Sequence, residues 1–290
     1  MKKILARIGP FKRYTKRPST MEYGYYYDAV FTLPFAPDKR HVRVWLPGSY
    51  HFMKPEKHPV IYMSDGQNLV DGNLSAFGDW HLDRVVRQLA SEGYPEPILV
   101  GIDCPVNERQ RSNELNPPFP VLWRYAIRRR NGPNKPIANQ FIDYIVNELK
   151  PLIDSLFSTD PRVEATAIGG SSMGGIMAFY GWLAYPETFG YAHAFSPPFF
   201  FYSKKQLRQM VGYFDTKPEN KNKLYLYVGG TDFERIFVKR TFFMKNYLES
   251  LGFGPDQLGF AFDPDEIHHE EAWYRYSFDA FRFWLGGLKD

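Results

Sequence analysis

The pattern of apolar and polar positions after residue 20 begins with two extended stretches. Residues 23–33 and 41–46 are predicted strands, joined by Pro34-Phe-Ala-Pro-Asp-Lys39, and His41-Val42-Arg43-Val44-Trp45-Leu46 alternates like a half-exposed strand. The period then changes. Residues 59–64 form a short, continuously apolar run, the pattern of a strand buried on both faces, and the run ends in the turn Asp65-Gly66-Gln67-Asn68. A helix is predicted over 80–89, with Trp80, Val85, Val86 and Leu89 on one side and Gly93 as its stop. A strand follows at 97–102. Residues 137–156 repeat Ile137, Phe141, Ile145, Leu149, Leu152 and Leu156 at helical spacing, and Pro151 should kink that helix.

Further strands are predicted at 165–168, 191–195, 223–229 and 260–262, with helices over 234–251 and along Trp273, Ser277, Ala280 and Trp284. Strand and helix therefore alternate from residue 59 to the end. That order predicts an α/β protein with a mostly parallel sheet, helices on both faces and an antiparallel hairpin ahead of them. Right-handed crossovers then bring the carboxyl ends of the parallel strands to one edge, where chemistry should gather. No internal repeat or interdomain linker is visible, so residues 21–290 are expected to form one domain.

Two segments break the pattern. Residues 1–20 hold Lys2, Lys3, Arg7, Lys12, Arg13, Lys16 and Arg17 without an acid, which reads as a solvated basic arm. Ile4-Leu5-Ala6 is cut short by Arg7, so the arm is not expected to be a signal peptide, and no run is long enough to span a membrane. Residues 104–136 mix prolines 105, 117, 118, 120, 133 and 136 with Phe119, Trp123, Tyr125 and Arg128-Arg129-Arg130; they are expected to be a lid-like loop or pocket wall.

Composition adds little to this. The 290 residues carry a net charge of +4, too mild to argue for nucleic acid, and 44% hydrophobic and 23% charged residues are ordinary for a globular protein. The single cysteine, Cys104, excludes an intrachain disulfide and suits a reducing cytoplasm. The basic arm and an 18% aromatic content leave room for a homodimer.

The candidate chemistry sits at Gly170-Ser171-Ser172-Met173-Gly174, which reads as Gly-x-Ser-x-Gly between a predicted strand and a predicted helix. This is the context of a nucleophile elbow, a sharp turn that strains the serine and needs glycine on either side. Ser172 is the candidate nucleophile. Its base should come from the last loop, and of the histidines that follow it only His268-His269 lie there; His193, between Ala192 and Ala194 in a strand, reads as a packing residue. The acid should follow the preceding strand, in Gly229-Gly230-Thr231-Asp232-Phe233-Glu234. Asp232, which comes sooner after the strand, is the expected acid and Glu234 the alternative. The backbone N–H groups of Met173 and Gln67 are the expected oxyanion donors. Glu270 and Glu271 suit the first turn of the last helix. Neighbouring side chains of His268-His269-Glu270 diverge, so no metal or other cofactor is expected.

These residues resemble the putative esterase family of α/β hydrolases, which includes enterochelin esterases, feruloyl esterases, S-formylglutathione hydrolase and mycolyltransferases. The resemblance runs over about residues 40–287. It is carried by Ile61-Tyr-Met-Ser-Asp-Gly-Gln-Asn-Leu69, Asp79-Trp80, Asn147-Glu-Leu-Lys-Pro-Leu-Ile-Asp154, Tyr185-Pro-Glu-Thr-Phe189, Phe195-Ser-Pro197 and His268-His-Glu-Glu-Ala-Trp273. It implies an α/β-hydrolase fold. Matching Glu270 and Trp273 to the family pattern His-Asn-Glu-x-x-Trp makes His268 the base, with His269 where the family often has asparagine. The activity implied is a serine esterase acting on a small-molecule ester through Ser172, His268 and Asp232. An acyltransferase using the same acyl-enzyme and a non-catalytic binding protein of this fold are the alternatives. Trp123 and Arg124, with the arginines that follow, hint at an acidic or aromatic group on the substrate.

Overall fold

The structure, a computed structural model, describes residues 5–15, 19–53, 56–122 and 135–289. Its strands are β1 (Arg7–Ile8), β2 (Phe11–Arg13), β3 (Tyr25–Thr32), β4 (Lys39–Leu46), β5 (Val60–Ser64), β6 (Ile98–Ile102), β7 (Thr166–Ser171), β8 (Tyr191–Phe195), β9 (Lys223–Gly229) and β10 (Leu258–Asp263). They form one sheet in the order β1-β2-β3-β4-β6-β5-β7-β8-β9-β10. Pairing is antiparallel from β1 through β4 to β6 and parallel from β6 to β10.

The apolar runs become strands because helices cover both faces of the sheet. Successive side chains of β5 point to opposite faces. Val60 and Tyr62 pack into the larger core, Ile61 and Met63 into the smaller, and every residue of the strand is buried. Helices α1 (Leu82–Ser91) and α7 (Glu270–Leu285) line the smaller core through Val85, Val86, Leu89, Phe281 and Trp284. The larger core takes α3 (residues 138–156), α4 (Met173–Ala184), α5 (Lys204–Tyr213) and α6 (Arg235–Ser250). Helix α4 is apolar all round and buried from Gly174 to Leu183, as a central helix must be.

Helix α3 runs from Ala138–Tyr144 through a π turn at Ile145–Leu149 into Lys150–Leu156. The π turn sits immediately before Pro151, whose missing N–H breaks the regular ladder, so the expected distortion takes this form.

Two expectations change. The segment after residue 104 is not all loop: Glu108–Leu115 is helix α2, capped by the Asn107 side chain, which accepts the Gln110 N–H at 3.1 Å. Its sequence, Glu-Arg-Gln-Arg-Ser-Asn-Glu-Leu, has no apolar stripe, and the cap was its only local signal. The basic arm is not a free tail either. Residues 7–13 form a hairpin on the sheet edge, with Phe11 fully buried against Phe31 and Phe157 while Arg7, Lys12 and Arg13 stay exposed. No helix among the described residues is long and apolar enough to cross a membrane.

Candidate active site

The carboxyl ends of β5, β7, β8 and β9 lie side by side, and each is followed by a residue in strained backbone. Asp65 has φ 55°, Ser172 φ 52°, Ser196 φ 47° and Asp232 φ 50°; these are four of the seven non-glycine residues with positive φ among the described residues. Strain of this kind costs of the order of 1–3 kcal/mol per residue and clusters at functional sites. Here it marks one edge of the sheet.

Ser172 stands at the turn between β7 and α4, half-buried, with φ 52° and ψ −121°. The expected glycines are needed there by close approach. A Cβ on Gly170 would stand 2.7 Å from the Gly174 backbone, and one on Gly174 would stand 2.2 Å from Ser64 Oγ. The turn is fixed sideways to β8, because the Ser172 N–H donates to the Phe195 carbonyl at 2.8 Å.

The next residue along β8 leads to the histidine. Ser196 donates its hydroxyl to Glu234 Oε1, which also accepts the Gly229 N–H at 3.1 Å, and Trp273 Nε1 donates to Ser196 Oγ at 3.1 Å. The other oxygen, Glu234 Oε2, meets His268 Nδ1 at 2.5 Å. Glu234 is fully buried and the His268 side chain is 17% exposed. The imidazole is stacked on Phe237 and met edge-on by Trp273 and Phe233. Ser172, Ser196, Glu234 and His268 thus follow four adjacent strands, β7 to β10; Ser196, Glu234 and His268 are joined by hydrogen bonds, and the Ser172 N–H bonds to the residue before Ser196.

The carboxylate that faces His268 is that of Glu234, the alternative, and not that of the expected Asp232. Asp232 itself is exposed. Its left-handed φ turns the chain so that the buried position falls two residues later, on Glu234. His269 is likewise engaged elsewhere: it is exposed and caps α7, its Nδ1 accepting the Glu271 N–H at 3.2 Å. His193 packs as expected. It is fully buried against Trp80, Tyr191, Phe195 and Phe281, and burial pushes its pKa down to about 3, so it stays neutral.

Met173 is the first residue of α4, and its N–H has no intrahelical acceptor. Gln67 lies in the short 3-10 turn Gly66–Asn68 after β5. Among the described residues neither backbone N–H is committed to a hydrogen bond. The Gln67 side chain is clasped at both ends by Cys104, accepting its N–H at 3.1 Å and donating to Sγ at 3.2 Å. Burial pushes the Cys104 thiol up to about 12. Beside it, Arg111 of α2 forks onto Asp65 with two bonds of 2.7 Å. Trp123, Arg124 and the arginine run lie outside the described residues.

Sequence reasoning missed Ser196, Asn68 and Arg111. A polar residue just past an apolar strand, as Ser196 is, was the available signal. Nothing local distinguishes Arg111 from its neighbours on a polar helix.

A family model described as "Putative esterase" matches residues 35–233, two-thirds of the chain, including the whole elbow. The chain belongs to this family. The esterase therefore hydrolyses carboxylic esters, on a mixed sheet of the α/β-hydrolase type. Protein YbbA of Bacillus subtilis (strain 168), described as uncharacterized, is 23% identical over 255 residues, covering 86% of this esterase and 93% of YbbA. An IroE-like serine hydrolase from Shewanella oneidensis superposes with a TM-score of 0.70 at 20% identity, over 90% of this chain and 80% of that one. A ferulic acid esterase gives 0.66 at 17%, over 91% and 99%. At these identities the solved structures share the fold.

Proposed function

We propose that the protein is a serine esterase in which Ser172 is the nucleophile, His268 the base and Glu234 the carboxylate that orients it. The substrate is a small-molecule ester. Ser172 Oγ adds to the ester carbonyl carbon while His268 Nε2 takes its proton. The carbonyl oxygen becomes an oxyanion, met by the N–H groups of Met173 and Gln67. Collapse expels the alcohol, which takes the proton from His268. Water then repeats the sequence on the acyl-enzyme and releases the acid.

The Glu234–His268 contact carries this reading. A carboxylate on Nδ1 holds the ring proton there and leaves Nε2 as the acceptor that a serine needs. Both Glu234 oxygens are occupied by donors inside a fully buried setting, so the acid has one orientation.

Hydrolysis of short p-nitrophenyl esters tests the assignment, with mass spectrometry of the protein after a fluorophosphonate probe. Ser172→Ala should lower kcat by about 10⁴-fold or more and abolish labelling. Retention of wild-type turnover by Ser172→Ala would remove the proposed nucleophile.

A further inference from the structure

Each of the three side chains on the Asp65–Asn68 turn is fastened by a different residue. Arg111 holds Asp65, and Cys104 holds Gln67, both from the region following β6. The third fastening is of another kind. Asn68 Nδ2 donates at 3.1 Å to Glu270 Oε1, across 202 residues of sequence, and Glu270 stands two positions beyond His268. Glu270 is 7% exposed, and Asn68 is the only side chain among the described residues hydrogen-bonded to it.

A place in the first turn of α7 explains an acid at 270 but not its burial. Glu271, next to it, meets the same helix dipole from an exposed position. What distinguishes Glu270 is the group it faces. Asn68 has its backbone fixed on both sides, its N–H on the Asp65 carbonyl at 2.9 Å and its carbonyl accepting the Trp80 N–H at 2.8 Å. The Gln67 N–H lies one peptide further back, in the Gly66–Gln67 link of the same short turn.

We propose that Glu270 is a positioning residue: through Asn68 it ties the loop bearing the base to the turn bearing the oxyanion donor, holding the two in one relative geometry. The role rests on the assignment of Ser172, His268 and Gln67 made above. Without the tie, the loop bearing His268 and the turn bearing the Gln67 N–H can shift relative to each other, and the donor no longer lies where the oxyanion develops. An interaction realised in the transition state is lost while ground-state binding stays. The effect should therefore fall on kcat and spare KM.

Steady-state kinetics of the full chain on p-nitrophenyl acetate test this. Glu270→Ala and Asn68→Ala should each lower kcat about 10-fold or more with KM within about 2-fold of wild type. Glu270→Gln keeps a carbonyl for Asn68 to bond and should retain most of kcat. The double variant Glu270→Ala/Asn68→Ala should be no slower than the slower single variant, because both remove one link. Unchanged kcat in the alanine variants, effects that multiply in the double variant, or a Glu270→Gln as slow as Glu270→Ala would overturn the role. If Glu270→Ala does not fold, as judged by its melting curve, Asn68→Ala and Glu270→Gln decide the matter by the same criteria. Fluorophosphonate labelling of Ser172 in the wild type separates the two levels. An unlabelled wild type means that the serine assignment has failed, whereas with a labelled, active wild type the variants alone decide whether Glu270 has this role.

Discussion

At the scale of single residues, the orientation of one carboxyl group separates two acids that sit two positions apart. Asp232 and Glu234 follow the same strand in the same short turn, and no pattern in Gly229-Gly230-Thr231-Asp232-Phe233-Glu234 says which will face inward. The choice is made by the left-handed backbone at Asp232, which leaves that side chain in solvent and buries Glu234 under His268. Glu234→Gln should lower kcat by about 10⁴-fold, since an amide at this position no longer holds the productive ring tautomer, whereas Asp232→Asn should stay within about 2-fold of wild type. Steady-state kinetics on one ester check both. By contrast, the sharp turn at Ser172 was legible because Gly-x-Ser-x-Gly between a strand and a helix has a local, steric signature. Glu270 supplies a second residue-level prediction. Burial first, and then the facing charge of Asp65, raise its pKa from 4.5 to about 7, while Arg111 and Asn68 oppose the shift. An acid with a raised folded pKa stabilises the protein fully below about pH 4.5, and that contribution is lost as pH rises through about 7. The drop in melting temperature between pH 5 and pH 8 should therefore be smaller in Glu270→Gln than in the wild type.

At the scale of elements, the strands were readable because burial on both faces leaves an unbroken apolar run. Tyr191–Phe195 and Lys223–Gly229 match the expected bounds. Helix α2 was not readable, because its polar residues find their partners elsewhere: Arg40 donates to Glu114 and Arg111 to Asp65, pairings that no periodicity records. The elbow is the element whose geometry is least tolerant. A methyl group on Gly174 would meet Ser64 Oγ at 2.2 Å, and one on Gly170 would meet backbone. Gly174→Ala should cost about 2 kcal/mol through overpacking and lower the melting temperature by roughly 5 °C. Thermal melts of the purified variant check it. The same displacement should depress esterase activity further than the loss of stability accounts for, since Ser172 sits on the turn that must shift.

At the scale of the whole molecule, the largely parallel sheet was implied by the alternation of strand and helix from residue 59, and the gathering of strand ends at one edge followed from it. What composition could not reveal was the fate of the first residues, since a basic stretch without acids reads as tail. Phe11 decides it: a fully buried ring packed against Phe31 and Phe157 anchors the hairpin to the larger core. Removal of residues 1–13 should lower the melting temperature by several degrees and raise light scattering on heating, because it exposes apolar core and uncovers backbone groups of β3.

That hairpin also sets a limit on assembly. Among the described residues the outermost strand is two residues long, and the two strands at this end present Arg7, Lys12 and Arg13 to solvent. So short a ladder, with like charges along it, is a poor template for a further chain, and the sheet is closed to polymerisation at this margin. Strand-to-strand pairing with a second copy is therefore disfavoured along the described part of this border.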